Sequence, residues 1–61
     1  MNYITIVDTL GRYWQTAKSN NKEEVAELMG SISSNGCFAT EEAFVYVNPK
    51  HIVSMELVSK E

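Results

Sequence analysis

The stretch Asn20-Asn21-Lys22-Glu23-Glu24-Val25-Ala26-Glu27-Leu28-Met29-Gly30-Ser31-Ile32-Ser33-Ser34-Asn35-Gly36 decides the fold. Val25, Leu28, Met29 and Ile32 recur at i, i+3, i+4 and i+7, one apolar stripe of a helix, while Glu23, Glu27 and Ser31 point the other way. Asn20 or Asn21 supplies the N-cap and places Glu23 or Glu24 three residues on, the spacing of a capping box. Both acids also fall in the first turn, where the helix dipole favours negative charge. Asn35-Gly36 offers a left-handed stop. Gly30 either weakens the helix by about 1 kcal/mol relative to Ala or admits a neighbouring backbone. The stretch reads as one amphipathic helix of about three turns.

On the N-terminal side, Tyr3-Ile4-Thr5-Ile6-Val7 is a β-branched run of period two and reads as a strand. Asp8-Thr9-Leu10-Gly11 has Asp first and Gly fourth, the favoured ends of a type I turn. Arg12 to Ala17 then alternates again, so a hairpin is expected. On the C-terminal side, Cys37-Phe38-Ala39 reads as a short extension and Thr40-Glu41-Glu42 as a bulge or loop. Ala43 to Val47 reads as a strand, Asn48-Pro49-Lys50-His51 as a turn with Pro second, and Ile52 to Val58 as the last strand. Val53, Met55 and Leu57 would share its inner face. The expected architecture is α+β, ββαββ: one four-stranded antiparallel sheet with the helix packed on one face. Tyr3, Val7, Tyr46 and one of Tyr13 or Trp14 would then lie on an open face or edge, a contiguous apolar patch of the kind that marks contact sites.

Size and charge limit what such a chain can do. Its 61 residues are 44% hydrophobic and 21% charged, with eight acids, five bases and a net charge of −3. This suits a single small domain spanning residues 1–61 and is too apolar for disorder. Area scaling gives a folded surface of roughly 4,000 Å². Burial contributes on the order of 90 kcal/mol, and ordering the chain costs about the same. A chain in that balance is expected to gain from a staple, a partner or a second copy. The lone Cys37 forms no internal disulfide, which fits a reducing compartment, and self-association is therefore expected. The longest apolar run, Ala43 to Val47, is far below the ~20 residues of a membrane span. With no targeting signal visible, a cytoplasmic protein without a membrane partner is expected.

Val45-Tyr46-Val47-Asn48-Pro49-Lys50-His51-Ile52-Val53-Ser54-Met55-Glu56 resembles the strand, Asn-Pro turn and strand of FlbD-type small flagellar proteins. That family also opens with a short strand and a turn ending in Gly, as Leu10-Gly11-Arg12 does here. This chain differs by placing a helix between the two pieces. In style it is also similar to the small acidic orphan proteins of phages and plasmids of Gram-positive bacteria. Many of those block a host enzyme or host defence by binding it, and the resemblance implies such a role here. No functional residue is carried over from either.

No set of nucleophile, base and orienting group can be assembled from the sequence, so no catalytic residue and no enzyme activity are expected. Cys37 and His51 form the one conceivable nucleophilic pair, and their simpler reading is a buried strand Cys and a solvent-facing turn His. The same two residues are too few for a closed zinc site, so no metal is expected. Gly11, Gly30 and Gly36 are scattered and form no phosphate loop, and no cofactor is expected. Arg12, Tyr13 and Trp14 beside Lys18 and Lys22 could stack bases. A net charge of −3 without a basic run nevertheless makes nucleic acid an unfavourable partner.

Two features remain. Glu23, Glu24 and Glu27 on the helix, and Glu41 and Glu42 in the loop, form acidic clusters that helix capping and solvation also explain. Arg12, Tyr13, Trp14 and Tyr46 are residue types enriched at binding hot spots, which ordinary packing also explains. Together these nine residues are the expected partner-binding set. The expected function is a non-enzymatic protein-interaction module, a phage- or mobile-element-type inhibitor that binds and blocks a host defence or nucleic-acid-processing protein. The alternative is a homo-oligomeric regulator that binds nucleic acid or a small ligand between subunits.

Overall fold

A computed structural model describes residues 1–60. The chain runs β1 (Asn2–Asp8), β2 (Tyr13–Gln15), α1 (Lys22–Asn35), β3 (Cys37–Ala39), β4 (Phe44–Tyr46), a 3-10 turn (Pro49–His51) and β5 (Ile52–Ser59). It is α+β with one helix, but the strands form two sheets rather than the expected four-stranded one. β2, β1 and β5 make an antiparallel sheet with β1 central, and β3 and β4 make a separate hairpin. The ββαββ reading therefore fails in its pairing. Cys37-Phe38-Ala39 is a strand in its own right and captures Phe44–Tyr46. The last strand crosses over to the first, Ile4 facing Leu57 and Ile6 facing Met55.

The helix forms as its sequence dictates. Asn21 caps it by accepting from the Glu24 amide at 3.2 Å, and the Asn21 amide donates to Ser19 Oγ rather than to an acid. Val25 and Ile32 are buried, with Leu28 and Met29 packed against the core beside them. The helix runs 14 residues, nearer four turns than three. It stops at Gly36, whose φ of 73° is left-handed and whose amide donates to the Ile32 carbonyl at 2.9 Å. Gly36 has a second reason to be glycine. Its carbonyl accepts from the Val47 amide at 2.9 Å, and a Cβ there would sit 1.9 Å from the Val47 oxygen. Of the two readings open for Gly30, the close backbone approach is absent, with nothing within 4 Å of a Cβ built there.

The core lies between the inner face of the larger sheet, the helix and the hairpin. Ile4, Ile6, Val25, Ile32, Phe38 and Val47 are buried in it. The helix packs on β1 and β5, while Phe38 covers the β2 end, edge-on to Trp14 at 6.1 Å. Val53, expected inside, is 65% exposed. The pairs Asp8–Ile52 and Val7–Ser54 skip it, so it is the extra residue of a bulge. That bulge reverses the alternation and turns Ile52 to the core. The total accessible surface is 4180 Å², matching the area expected for this chain length.

A second irregularity ends β2 early. The Thr16 amide donates to the Ile4 carbonyl, but the Ile4 amide donates to Thr16 Oγ1, both at 2.9 Å. Two residues on, Asn2 pairs with Ser19 instead of Lys18. Three steps on one strand thus match two on the other. The Ala17 and Lys18 amides turn outward and donate to the Ala39 carbonyl at 2.9 Å and to Glu41 Oε1 at 3.2 Å. The kink thus adds the Lys18 tie between the sheets to the one that Ala17 makes by ordinary alternation. It also explains why the strand expected over Arg12 to Ala17 closes at Gln15.

Two outcomes test these assignments by urea unfolding. Gly36→Ala should lose roughly 2–5 kcal/mol, from a left-handed backbone plus a collision with main chain, whereas Gly30→Ala should gain up to about 1 kcal/mol. Thr16→Val keeps the shape but strands the buried Ile4 amide, and should cost about 1–3 kcal/mol, with Thr16→Ser restoring most of it.

Candidate functional site

The turn between β1 and β2 is built on a buried carboxylate. Asp8 is 2% exposed, and its Oδ1 accepts from the Leu10 amide at 3.0 Å and the Arg12 amide at 2.8 Å. Its Oδ2 accepts from Arg12 Nε at 2.7 Å. The Gly11 amide closes the turn on the Asp8 carbonyl at 3.0 Å. Burial alone would raise the Asp8 pKa. The Arg12 amide, the guanidinium and the Leu10 amide together outweigh it and hold the carboxyl below its ordinary 3.8. Sequence reading gave Asp8 only a turn role, because nothing local shows that its side chain is covered.

With Nε fixed on Asp8, the Arg12 guanidinium lies over the Trp14 ring, 5.0 Å from its centroid. Trp14 is thus half-buried between Arg12 and Phe38 and packs against the core. It is a wall of the site as much as a contact, so truncating it would also disturb packing. Tyr13 is exposed, its hydroxyl accepting from Gln15 Nε2 at 3.0 Å.

Two grooves flank this stack along the seam between the sheets. One, of about 450 Å³, is walled by Tyr13, Trp14 and Gln15 on one side and by Thr40 to Ala43 and Val45 on the other. The second, of about 310 Å³, lies between the β1–β2 turn and the end of β4, with Leu10, Arg12, Tyr46 and His51 among its walls. The fold therefore brings Tyr13, Trp14, Glu41 and Glu42 to one groove and Arg12 and Tyr46 to its neighbour. Glu23, Glu24 and Glu27 line neither and are exposed on the helix. Glu41 also has a structural task, accepting from the Lys18 amide. Thr40 Oγ1 shapes the loop by accepting from the Glu42 and Ala43 amides.

The contiguous aromatic face expected on the larger sheet is not formed. The register puts Tyr3, Thr5, Val7, Tyr13, Gln15, Ser54, Glu56 and Val58 on its outer side. Tyr3 there is only 8% exposed, with the Lys18 ammonium 5.9 Å from its ring centroid. Apart from Met1, Tyr13 and Val53, large apolar exposure lies on the outer side of the hairpin, where Phe44 is 90% and Tyr46 64% exposed, with Leu10 at 77% beside the second groove. Phe44 was missed, although its alternation with Val45 carried a signal: in a two-stranded ribbon with one covered face, it had to point outward.

Cys37 is in a strand but exposed, against the buried position expected for it, and its thiol donates to the Asn35 carbonyl at 3.7 Å. His51 sits exposed on the 3-10 turn, its Nδ1 3.5 Å from Thr9 Oγ1. Among the described residues, no three His, Cys, Asp or Glu side chains converge to hold a metal. Among the same residues, no helix is long and apolar enough to cross a membrane.

Because the folded Asp8 pKa is depressed, its contribution to stability is present above the ordinary carboxylate value. It is lost as pH falls through the lower folded value. The urea midpoint should therefore drop between neutral pH and about pH 3. Asp8→Asn should be less stable at neutral pH and show a shallower acid loss. An equal loss in both proteins would remove Asp8 as the cause.

Comparison of the chain with protein-family models, curated proteins and solved structures found no match.

Proposed function

We propose that this protein is a non-enzymatic interaction module, an inhibitor of the phage or mobile-element type that binds and blocks a host protein in the cytoplasm. The observation that carries this reading is the seam. Six of the nine residues singled out by chemistry alone (Arg12, Tyr13, Trp14, Glu41, Glu42 and Tyr46) line two adjoining grooves, though they come from segments more than twenty residues apart. Aromatic and Arg anchors beside unpaired acids make a surface suited to steering and then holding a basic partner. Glu23, Glu24 and Glu27 stand apart on the helix, so the reading assigns them solvation and capping rather than contact.

One observation favours a second reading, a homo-oligomer with its site between subunits. Cys37, Ala39, Phe44 and Tyr46 share the outer side of the hairpin. That side carries no charge, so two copies of net charge −3 can meet there without opposing like charges.

The double variant Phe44→Ser/Tyr46→Ser alters exposed side chains only and should leave the circular dichroism unchanged. Light scattering then separates the readings: a 6.9 kDa monomer for both proteins supports the inhibitor. An oligomer that falls to monomer in the variant supports the regulator. For the inhibitor, affinity capture should retain a protein on the wild-type chain and less on Tyr13→Ser, and adding the purified chain should suppress that protein's activity. Equal retention by Tyr13→Ser, or unchanged activity, removes the inhibitor reading.

A further inference from the structure

The larger groove is an unfinished β-ladder. Antiparallel pairing alternates the direction of main-chain groups. Ile4 and Thr16 bond each other inside the sheet and the Asp8 amide donates to the Arg12 carbonyl, so the N–H and C=O groups of Tyr13 and Gln15 point away from β1. The next outward group along this edge, the Ala17 amide, is taken by the Ala39 carbonyl. Beyond that bond the chain departs into the Thr40–Ala43 turn, and no described strand pairs with Tyr13–Gln15 on that side. The groove opens along this stretch of edge.

Its charge is one-sided. Glu41 and Glu42 are the only charged residues on its walls. Neither makes a salt bridge among the described residues, where the one ion pair is Arg12 with Asp8. The Lys18 ammonium lies over Tyr3 on the outer side of the larger sheet, and the Arg12 guanidinium is tied to Asp8.

We propose that the groove takes an extended segment of a partner protein, added as a strand to the outer edge of β2, with Lys or Arg alternating with an apolar residue. The segment's main chain completes the ladder on Tyr13 and Gln15. By the two-residue alternation of a strand, its apolar side chains face Trp14 and Val45 while its basic ones meet Glu41, Glu42 and the Tyr13 ring. β2 spans about 10 Å, so three residues of the segment make the contact. A second copy of this chain fits poorly, because its own β2 would bring another acidic rim against the first. The inference rests on the interaction-module reading and gives its partner a chemistry.

The probe is a library of randomised seven-residue peptides displayed on filamentous phage, selected on the full chain. Selected peptides are then synthesised and titrated by the fluorescence of Trp14, the only tryptophan. The expected winners carry Lys or Arg alternating with Val, Ile or Leu, shift the Trp14 signal, and weaken as salt is raised. Glu42→Lys, a change in an exposed side chain, should weaken them about threefold or more. N-methylation of alternate peptide residues should abolish binding in one phase and spare it in the other, as strand addition requires. Recovery of no peptide, winners without basic residues, indifference to Glu42→Lys, or equal tolerance of both methylation phases would overturn the proposal. If a captured partner protein still binds Glu42→Lys at full strength while losing affinity for Tyr13→Ser, the basic-segment assignment falls and the interaction-module reading stands.

Discussion

The hydroxyl of Thr16 replaces a carbonyl in the ladder between β1 and β2, and the arrangement of the molecule depends on that substitution. A regular ladder would offer the Ile4 amide a backbone oxygen. Here Thr16 Oγ1 accepts it, which lets β2 gain one residue on β1 before the chains meet again at Asn2 and Ser19. The Ala17 amide already points away from β1 by alternation, the gained residue turns the Lys18 amide outward as well, and both find acceptors in the hairpin, at Ala39 and Glu41. Without this kink the Lys18 amide would face Asn2, and the second of these ties would be lost. Because the hold is confined to its end, the hairpin swings clear of β2 and leaves the groove.

A second close approach fixes the hairpin from its other end. Gly36 ends the helix just before β3, its carbonyl accepts from the Val47 amide, and the Val47 oxygen takes the space where a side chain would be. Helix stop and sheet start are thus one event, and Phe38 is delivered to the core two residues later, against Trp14. On the far side of Trp14, the buried Asp8 holds Arg12 in place. A buried charge is costly unless it is paired and hydrogen-bonded, and here two amides and a guanidinium do both. The Trp14 ring is therefore held between a core aromatic and a tethered cation. Two such fixed faces are what a site on a chain this small requires, since its strands are too short to be rigid alone.

The helix was legible because its signals are local: a cap, a period and a left-handed stop within seventeen residues. Individual strands were legible for the same reason. Their partners were not. Period two says that Ile4 and Ile6 share a face but not that Leu57 and Met55 lie opposite, fifty residues away. The bulge at Val53 went unread because a Val in a β-branched run gives no sign of being the extra residue. Thr16 sat in plain view as a strand former, and its hydroxyl's role depends on Ile4, a non-local fact. For the site, residue chemistry singled out Tyr13, Trp14, Glu41 and Glu42, and only folding could bring them together. The same chemistry also singled out the three helix acids, which the grooves do not use. Acidity at a helix start has a local cause, and that cause is sufficient there.

The acidic loop answers a problem that the groove creates. An open strand edge is a template for pairing with any extended chain, including another copy of the same protein. Proteins limit that hazard by keeping edge strands short and setting charge beside them. β2 and β4 have three residues each, and Glu41 and Glu42 stand beside the open part of β2. Carboxylates of one sign do not close an edge to all comers. They repel the edge of an identical acidic chain, and on the proposed reading they attract a strand that carries bases. A charged guard on an edge is, on the proposed reading, also a filter. It stands beside the Arg12–Trp14 stack, where the seam concentrates residue types suited to retaining what the filter would admit.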